Sequence, residues 1–313
     1  MLYCSKNIKN HIIFSLFLLL GLSIAIIVFT NFNSVVYGSH LEVNTSKLSE
    51  NMYVIHGSGA DVLLFNDTDG AILVDDQYAP VANKMKDVIA NITNNPIKFI
   101  INTHIHPDHT GGNKKFGEAG TIIISHDNAR KRLSSDQFYG FINQTVPAFS
   151  EKALPIITYS ENMTIYQNNE KIVITHLDNG HTDGDSIVFF TNNNVIHTGD
   201  VFSDRTYPFI DISHGGSVDG MISSLEKIFS TINNETKVVG GHSGISNQTE
   251  VKNYLNMFID VSNNINSMIF EGRSLEEIIK SNPTAKYDTI YTDRSFVKPN
   301  DFVENIYASL IHR

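Results

Sequence analysis

A short segment of the chain concentrates side chains that bind metal ions. Residues 103–112 read THIHPDHTGG, and four potential ligands fall within six positions: His104, His106, Asp108 and His109. Alternation along an extended backbone directs His104 and His106 to the same side. Pro107 then bends the chain, so Asp108 and His109 can face a second point nearby. A single histidine would be ordinary in a surface loop, but four ligands in this order, directly after an apolar strand, predict a metal site.

The composition limits the kind of metal site. The chain has thirteen histidines but one cysteine, Cys4, so it can form neither an intramolecular disulfide nor a cluster of thiolate ligands. A metal site must therefore use His, Asp or Glu. The formal net charge is −10, from 23 basic and 33 acidic side chains. This balance argues against nonspecific nucleic-acid binding, which depends on neutralising phosphates with Lys and Arg.

Further potential ligands follow along the chain. His181 lies in the segment GHT, 72 residues after His109. Asp200 ends the segment HTGD, 19 residues after His181, and His242 lies in GGHSG, 42 residues after Asp200. Isolated histidines would carry little weight, but their order and spacing after the first motif indicate one shared site.

This pattern resembles the metallo-β-lactamase superfamily, whose signature is His-x-His-x-Asp-His. The motif at 104–109, the later ligands and the upstream Asp75 all match, and the resemblance covers roughly residues 41–242. It implies an α+β fold, the four-layered αββα sandwich of this family, with the metals at one edge of two sheets. We expect this domain to comprise residues 39–313.

The resemblance also implies a role for each ligand. The first ion would be held by His104, His106 and His181, the second by Asp108, His109 and His242, and Asp200 would bridge them. Three protein ligands plus a water are typical of a catalytic zinc site. Five imidazoles and two carboxylates favour two Zn²⁺ per chain, with iron or manganese as alternatives. The ions would provide a metal-bound hydroxide that attacks the substrate, and Asp108 would be a catalytic residue that moves a proton.

Three further polar residues are predicted to orient the ligand histidines. They are Asp75, Thr182 and Asp185, and such residues fix the ring orientation of a metal ligand. For Thr182 and Asp185, hydrogen bonding within a turn or a helix cap is an equally good interpretation.

The segment after Asp200 is predicted to line the substrate cleft. Tyr207 and His214 are candidate substrate contacts there, and Arg205 is a candidate partner for a substrate carboxylate. The alternative for Arg205 is a solvated ion pair with a neighbouring aspartate. The remaining histidines, including His197, are interpreted as packed or surface residues.

Differences between this sequence and the zinc β-lactamases narrow the range of expected substrates. Enzymes of that group with a metal-binding cysteine carry it where this chain has Asp200, and Ser203 stands where they often have a substrate-anchoring lysine. The turn Gly57–Ala60 is too short for their apolar flap. A bridging aspartate is instead similar to glyoxalase II and lactonases, which favours an ester, lactone, thioester or related small-molecule substrate.

Other functions are alternatives to this hydrolase. One is an iron-dependent oxidoreductase similar to the sulfur dioxygenases of the superfamily, and another is a β-lactamase. A noncatalytic surface protein is disfavoured, because an intact set of unused ligands would crowd polar groups into a costly site.

The elements that must position the site can be predicted from apolar periodicity. Strands are expected at 52–56, 61–65, 71–75, 97–102, 121–125, 171–176, 186–191, 194–197 and 237–240. Helices are expected at 79–92, 217–232, 249–270, 275–280 and 301–311. Strands thus come in two groups, each followed by helices, which favours two packed sheets with helices outside.

The N-terminus is typical of a targeting segment. Lys6 and Lys9 precede the uncharged run 12–29, and residues 1–38 are predicted to be a signal peptide or an N-terminal membrane anchor. Small residues at Val36 and Gly38 would allow cleavage before Ser39. The lysines should stay in the cytoplasm, so we expect an extracytoplasmic domain, secreted or anchored to the membrane by this segment.

Sequons give further, weaker support for export. Seven Asn-x-Ser/Thr sequences are compatible with a glycoprotein: Asn44, Asn66, Asn91, Asn143, Asn162, Asn234 and Asn247. An Asn-rich composition also produces such sequences by chance.

We predict that a topology reporter fused after Arg313 will be active only on the outer side of the membrane. The physical reason is that the two lysines keep the start of the chain inside while the apolar run enters the bilayer. A cytoplasmic signal from this fusion would contradict the predicted location.

Overall fold

The computed structural model describes residues 42–140, 143–292 and 296–312. Within these ranges the chain forms fifteen strands: β1 (Asn44–Lys47), β2 (Met52–His56), β3 (Val62–Asp67), β4 (Gly70–Val74), β5 (Ile97–Ile101), β6 (Ile122–His126), β7 (Gln137–Tyr139), β8 (Gln144–Val146), β9 (Ile157–Tyr159), β10 (Asn162–Gln167), β11 (Glu170–His176), β12 (Ser186–Phe190), β13 (Val195–His197), β14 (Lys237–Val239) and β15 (Ile245–Ser246).

The same ranges contain nine α-helices: α1 (Ala82–Ile92), α2 (Pro107–Thr110), α3 (Asn113–Glu118), α4 (Asp127–Leu133), α5 (Val218–Thr231), α6 (Gln248–Phe270), α7 (Leu275–Lys280), α8 (Asp288–Tyr291) and α9 (Pro299–Ile311). Several begin where a polar side chain caps the first turn. Ser217 accepts a hydrogen bond from Gly220 N at the start of α5, and Asn247 does the same for two amides of α6.

Two large sheets form the centre of the fold. The first has the strand order β1-β2-β3-β4-β5-β6-β9 and the second has the order β10-β11-β12-β13-β14-β15. In the first sheet, β4, β5, β6 and β9 run parallel to one another. In the second, β13 and β14 are a parallel pair. Parallel neighbours end at the same edge of a sheet, so the loops after β4, β5, β13 and β14 can meet there.

The two sheets pack face to face through alternating apolar side chains. On β3, Leu63 and Phe65 belong to the cluster between the sheets, and Phe65 lies 5.5 Å from Phe190 of β12, measured between ring centroids. Val62 and Leu64 point the other way, into a cluster with α1, as the two-residue period of a strand requires.

Helices cover the outer faces of both sheets. Met85 and Ile89 of α1 pack on the first sheet, whereas α5, α6 and α9 contribute to a larger cluster on the second. The layers are therefore helix, sheet, sheet and helix, and the predicted four-layered αββα sandwich is confirmed.

The long predicted elements match the structure, while short ones were missed. The predicted helix 79–92 begins as a 3-10 turn at Ala79–Val81 before α1. The bend expected at Pro107 is instead the first turn of α2, a position that proline favours. The missed elements include β1, α3, α4 and β7 to β10. They are too short, or too polar, to show a clear apolar period.

The targeting prediction for residues 1–38, with cleavage before Ser39, lies outside the described residues. In the described part of the chain, no helix is both long enough and apolar enough to cross a membrane.

We expect Leu63→Ala to lower the free energy of unfolding by about 3 kcal/mol, because it removes a side chain packed between two sheets that cannot easily close the cavity. Leu63 is fully buried, whereas Ile156 is 67% exposed. Ile156→Ala is therefore a matched control, with an expected change below about 0.5 kcal/mol. Chemical denaturation of the purified proteins measures both. Equal stabilities of the two variants would contradict this packing.

Candidate metal centre

Seven predicted ligands converge at the edge where parallel strands end. Four of them follow β5 in the first sheet, in the loop 102–106 and the short helix α2. The other three come from the second sheet: His181 between β11 and β12, Asp200 after β13, and His242 between β14 and β15. Side chains 75 residues apart in sequence, His106 and His181, are thereby brought into contact.

The first group is His104, His106, His181 and Asp200. One potential ligand atom from each lies within 4.8 Å of the others. His181 Nε2 is 3.0 Å from His106 Nδ1, and Asp200 Oδ2 lies 3.8 Å from His104 Nε2 and 3.7 Å from His181 Nε2. The three rings are buried, so this group could hold one metal ion.

The second group is Asp108, His109 and His242, again with ligand atoms within 4.8 Å of one another. Asp108 Oδ2 lies 3.3 Å from His242 Nε2 and 3.6 Å from His109 Nε2. The His242 side chain is 36% exposed and that of His109 is fully buried. This second set could hold a metal ion closer to solvent.

Asp200 lies between the two groups. Its Oδ1 is 3.2 Å from His109 Nε2, and its Oδ2 is 3.2 Å from His242 Nε2. The same carboxylate therefore faces imidazoles of both groups, which is the placement that a bridging ligand requires.

The hydrogen bonding of the site fits a metal. Three buried atoms that face this space have no hydrogen-bond partner among the described residues: His104 Nε2, His109 Nε2 and Asp200 Oδ1. A buried polar atom without a partner is costly, and bound cations would satisfy all three. Hard and borderline metals also prefer this set of nitrogen and oxygen donors.

The ring nitrogens that face away from the centre have partners that fix their hydrogens. Asp75 accepts a hydrogen bond from His109 Nδ1 at 2.7 Å. Thr103 Oγ1 donates to Asp75 at 2.8 Å and can therefore accept from His104 Nδ1 at 3.0 Å. With the hydrogens on the outer nitrogens, the inner nitrogens keep their lone pairs for a metal. Asp75 thus occupies the position from which it can orient two ligands, and its backbone is left-handed, with φ 65°.

Asp211 was not recognised as a site residue from the sequence, although it contacts a ligand directly. Its Oδ2 accepts from His106 Nε2 at 2.8 Å and from His214 Nδ1 at 2.6 Å. Burial opposes ionisation, but these hydrogen bonds hold the pKa of Asp211 well below its usual range. The spacing of Asp211 and His214 on one 3-10 turn is a signal that could have revealed the pair.

The structure places His214, a predicted substrate contact, next to a predicted ligand. Its ring is buried behind His106, and its Nδ1 bonds Asp211. It does not line the cavity described below, so its contact with the site passes through the carboxylate.

Thr182 and Asp185 contact each other rather than the ring of His181. Asp185 accepts from Thr182 N at 2.9 Å and from Thr182 Oγ1 at 2.6 Å, and burial raises the pKa of Asp185 to about 8. The ring is oriented instead by the Phe209 carbonyl, which accepts from His181 Nδ1 at 2.8 Å. The structure therefore favours the turn interpretation for this pair.

Burial also sets the charge of two of the ligand histidines. It lowers the pKa of His181 to about 4 and holds the pKa of His104 well below its usual value, and neighbouring imidazoles lower both further. Both rings are neutral near pH 7, as metal binding requires. Burial would raise the pKa of Asp200, but His242 and His109 hold it well below its usual range, so this side chain is a carboxylate.

A cavity of about 290 Å³ opens onto both ligand groups. Five of the predicted ligands form part of its wall: His106, Asp108, His181, Asp200 and His242. Aromatic side chains form much of the remainder: Tyr78, Tyr207, Phe209, Tyr254 and Phe296. The site is thus accessible to a small molecule with an apolar part.

The remaining two predicted substrate contacts differ in their placement. Tyr207 lines the cavity, but its hydroxyl donates to Asp288 at 2.8 Å, so it presents its ring. Arg205 is exposed and does not line the cavity. Its backbone is left-handed, with φ 61°, in the turn after Ser203.

Close packing of backbone holds the ligand loops together. A Cβ atom on Gly241 would lie 1.8 Å from Asp200 Oδ1. A side chain at this position would therefore displace the central carboxylate, and only glycine allows the loop that carries His242 to approach Asp200 this closely.

Comparisons with known proteins agree with this geometry. Hydroxyacylglutathione hydrolase from Pelagibacter ubique (strain HTCC1062) is 28% identical over 148 residues, which are 47% of this chain and 52% of that protein. The chain therefore spans about half the length of this curated relative.

Two solved structures share the fold at low identity. A metallo-β-lactamase from Pontibacter korlensis superposes with a TM-score of 0.57 at 16% identity, covering 70% of this chain and 100% of that one. The stereoselective inverting sec-alkylsulfatase Pisa1 from Pseudomonas sp. superposes with a TM-score of 0.64 at 13% identity, covering 85% of this chain and 50% of that one.

The family model described as the metallo-beta-lactamase superfamily matches residues 55–242. This match covers more than half of the chain and includes all seven predicted ligands, which confirms the resemblance seen in the motifs. The chain belongs to the metallo-β-lactamase superfamily.

Proposed function

We propose that the protein is an extracytoplasmic, dinuclear zinc-dependent hydrolase of small-molecule esters, lactones, thioesters or related compounds. The observation that carries this proposal is the pair of ligand groups that share Asp200 at the wall of an open cavity. When bound, two zinc ions would acidify a water molecule and polarise the scissile group of the substrate.

The side chains of this chain would divide the remaining work. The first ion would be held by His104, His106 and His181. The second would be held by Asp108, His109 and His242. Asp200 would contribute to both. Asp108 lines the cavity and its side chain is 14% exposed. Its carboxylate could therefore accept a proton from the attacking water and return it to the leaving group.

The aromatic wall would exclude water and bind the apolar part of a substrate. Tyr207 and Phe209 offer their rings on this side. The named activity of the curated relative, a hydroxyacylglutathione hydrolase, supports the hydrolase class. Support for the extracytoplasmic location comes from the N-terminal sequence, with Lys6 and Lys9 before the apolar run.

We expect the purified protein to bind about two zinc ions per chain. Asp200→Asn should weaken the binding of both ions, because this carboxylate faces imidazoles of both groups. His181→Ala should weaken mainly the binding of the first ion. Elemental analysis after dialysis measures the zinc content of each variant. His312→Ala, which changes an exposed histidine, is the matched control and should retain both ions. Unchanged metal content in His104→Ala would contradict the ligand assignment.

We expect Asp108→Asn to lower kcat by at least about 100-fold, because it removes the charge that holds the second ion and moves the proton. Asp69→Asn makes the same change in an exposed turn and should leave kcat unchanged. A chelator should abolish activity and zinc should restore it, and kcat should fall at acidic pH.

A screen of esters, lactones, thioesters and β-lactams provides the measurement. Because Ser203 stands in place of an anchoring lysine, β-lactams should be poor substrates beside neutral esters or lactones. Full activity of the Asp108→Asn variant would exclude the proposal that the protein is a zinc-dependent hydrolase. Oxygen uptake that requires iron and not zinc would exclude it as well. Efficient β-lactam turnover would contradict only the predicted preference for neutral esters or lactones and would leave the hydrolase proposal standing.

A further inference from the structure

Asp61 joins three parts of the structure that carry or flank predicted ligands. It follows the turn between β2 and β3, and its side chain is 10% exposed. The backbone amide, the backbone carbonyl and both carboxylate oxygens each take part in a hydrogen bond. It is not a member of either ligand group, and nothing in its sequence context singled it out.

Two of these bonds hold the turn that carries His242. Asp61 N donates to Gly241 O at 2.7 Å, on one side of His242. Gly244 N donates to Asp61 Oδ2 at 2.6 Å, on the other side. His242 is the most exposed of the seven predicted ligands, at 36%, so its position depends on the turn more than on packing around its ring.

A third bond reaches the segment that carries Asp200. His197 Nδ1 accepts from Gly199 N at 3.1 Å, so the ring hydrogen must be on Nε2. That Nε2–H donates to Asp61 O at 2.9 Å. His197 is fully buried, and it links Asp61 to the residue that directly precedes Asp200. A direct bond from Gly241 N to Gly199 O, at 2.8 Å, joins the two ligand segments themselves.

The carboxylate is held from its other side by an imidazole. His56 Nδ1 lies 2.6 Å from Asp61 Oδ1 and donates to it, and His56 Nε2 lies 2.9 Å from Ser46 Oγ. Both carboxylate oxygens therefore accept hydrogen bonds from N–H groups. An asparagine could keep the acceptor for Gly244 N only by turning its NH₂ group toward His56 Nδ1, so the imidazole would have to change tautomer and the carboxylate–imidazole hydrogen bond would be lost.

We propose that Asp61 is a positioning residue for the second metal ion, which holds the His242 turn and the Asp200 segment at the separation that the ion requires. This inference rests on the proposed dinuclear centre. Among the described residues, Asp61 is neither part of the cavity wall nor a member of a ligand group. Residues that orient metal ligands in this way typically change metal affinity by about 10- to 100-fold when they are replaced.

The test compares Asp61→Asn with Asp67→Asn in the full-length protein. Both variants remove one negative charge from the same region of the chain, but Asp67 ends β3 and its Oδ1 bonds only the adjacent turn residue Thr68 in the described contacts. The metal-free proteins are titrated with zinc in competition with a chromogenic chelator, and the curves are fitted for two ions.

We expect Asp61→Asn to lower the affinity for the second zinc ion by about tenfold or more and the affinity for the first by less than about twofold. Asp67→Asn should bind both ions with wild-type affinity. A loss of general stability would weaken both ions together, so the ratio of the two affinities separates positioning from a purely structural effect. Equal affinities for both ions in Asp61→Asn and wild type would overturn the proposal. If the wild type itself binds no second ion, the proposed dinuclear function fails instead.

A second variant decides the matter if Asp61→Asn does not fold. His56→Ala removes one donor to the carboxylate at a side chain that is 32% exposed, so folding should tolerate it. The second ion should then bind several-fold more weakly, while His312→Ala leaves it unchanged. Wild-type affinity for the second ion in His56→Ala would overturn the proposal.

Discussion

Asp200 places one carboxylate between four imidazoles, and the candidate metal centre depends on this contact. Its two oxygens lie 3.2 to 3.8 Å from His104, His109, His181 and His242. The inner nitrogens of His104 and His109 are buried without a hydrogen-bond partner among the described residues, and a lone carboxylate there would be poorly solvated. Cations between them resolve both problems. The close approach of Gly241 to this carboxylate shows how little room the surrounding backbone leaves for another arrangement.

The sandwich is what makes this contact possible. Ligands from the first sheet follow β5, and two of those from the second follow the parallel strands β13 and β14. The apolar layer between the sheets, which includes Phe65 and Phe190, fixes the distance between the two strand edges. The stability of this layer and the geometry of the site are therefore linked.

Hydrogen-bond acceptors behind the ligand rings complete the centre. Asp75, Asp211 and the Phe209 carbonyl accept from the outer nitrogens of His109, His106 and His181. Each bond selects a tautomer and turns the inner nitrogen toward the centre. Two of the three acceptors lie in the segment after Asp200, so this segment both orients the first group and, through Tyr207 and Phe209, forms part of the cavity wall.

The sequence by itself determined the predicted ligand set and the class of fold. The order of His104, His106, Asp108 and His109 after an apolar strand could be recognised because ligand type and local spacing are properties of the sequence. The long strands and helices were equally clear, since their apolar periods extend over enough residues to be unambiguous. Short elements such as α2 and β7 were not, because a few residues do not establish a period.

Apart from Asp75, only the tertiary structure decided which polar residues support the ligands. Asp211 and Asp61 act across contacts that join separate segments, such as Asp61 with Gly244, 183 residues later. Thr182 and Asp185, which stand beside a ligand in sequence, bond each other instead. The direction of a side chain depends on backbone conformation and on what packs against it, and neither is written in the local sequence. The physical reason is that a hydrogen bond requires two atoms within about 3 Å, and for distant segments the fold alone sets that distance.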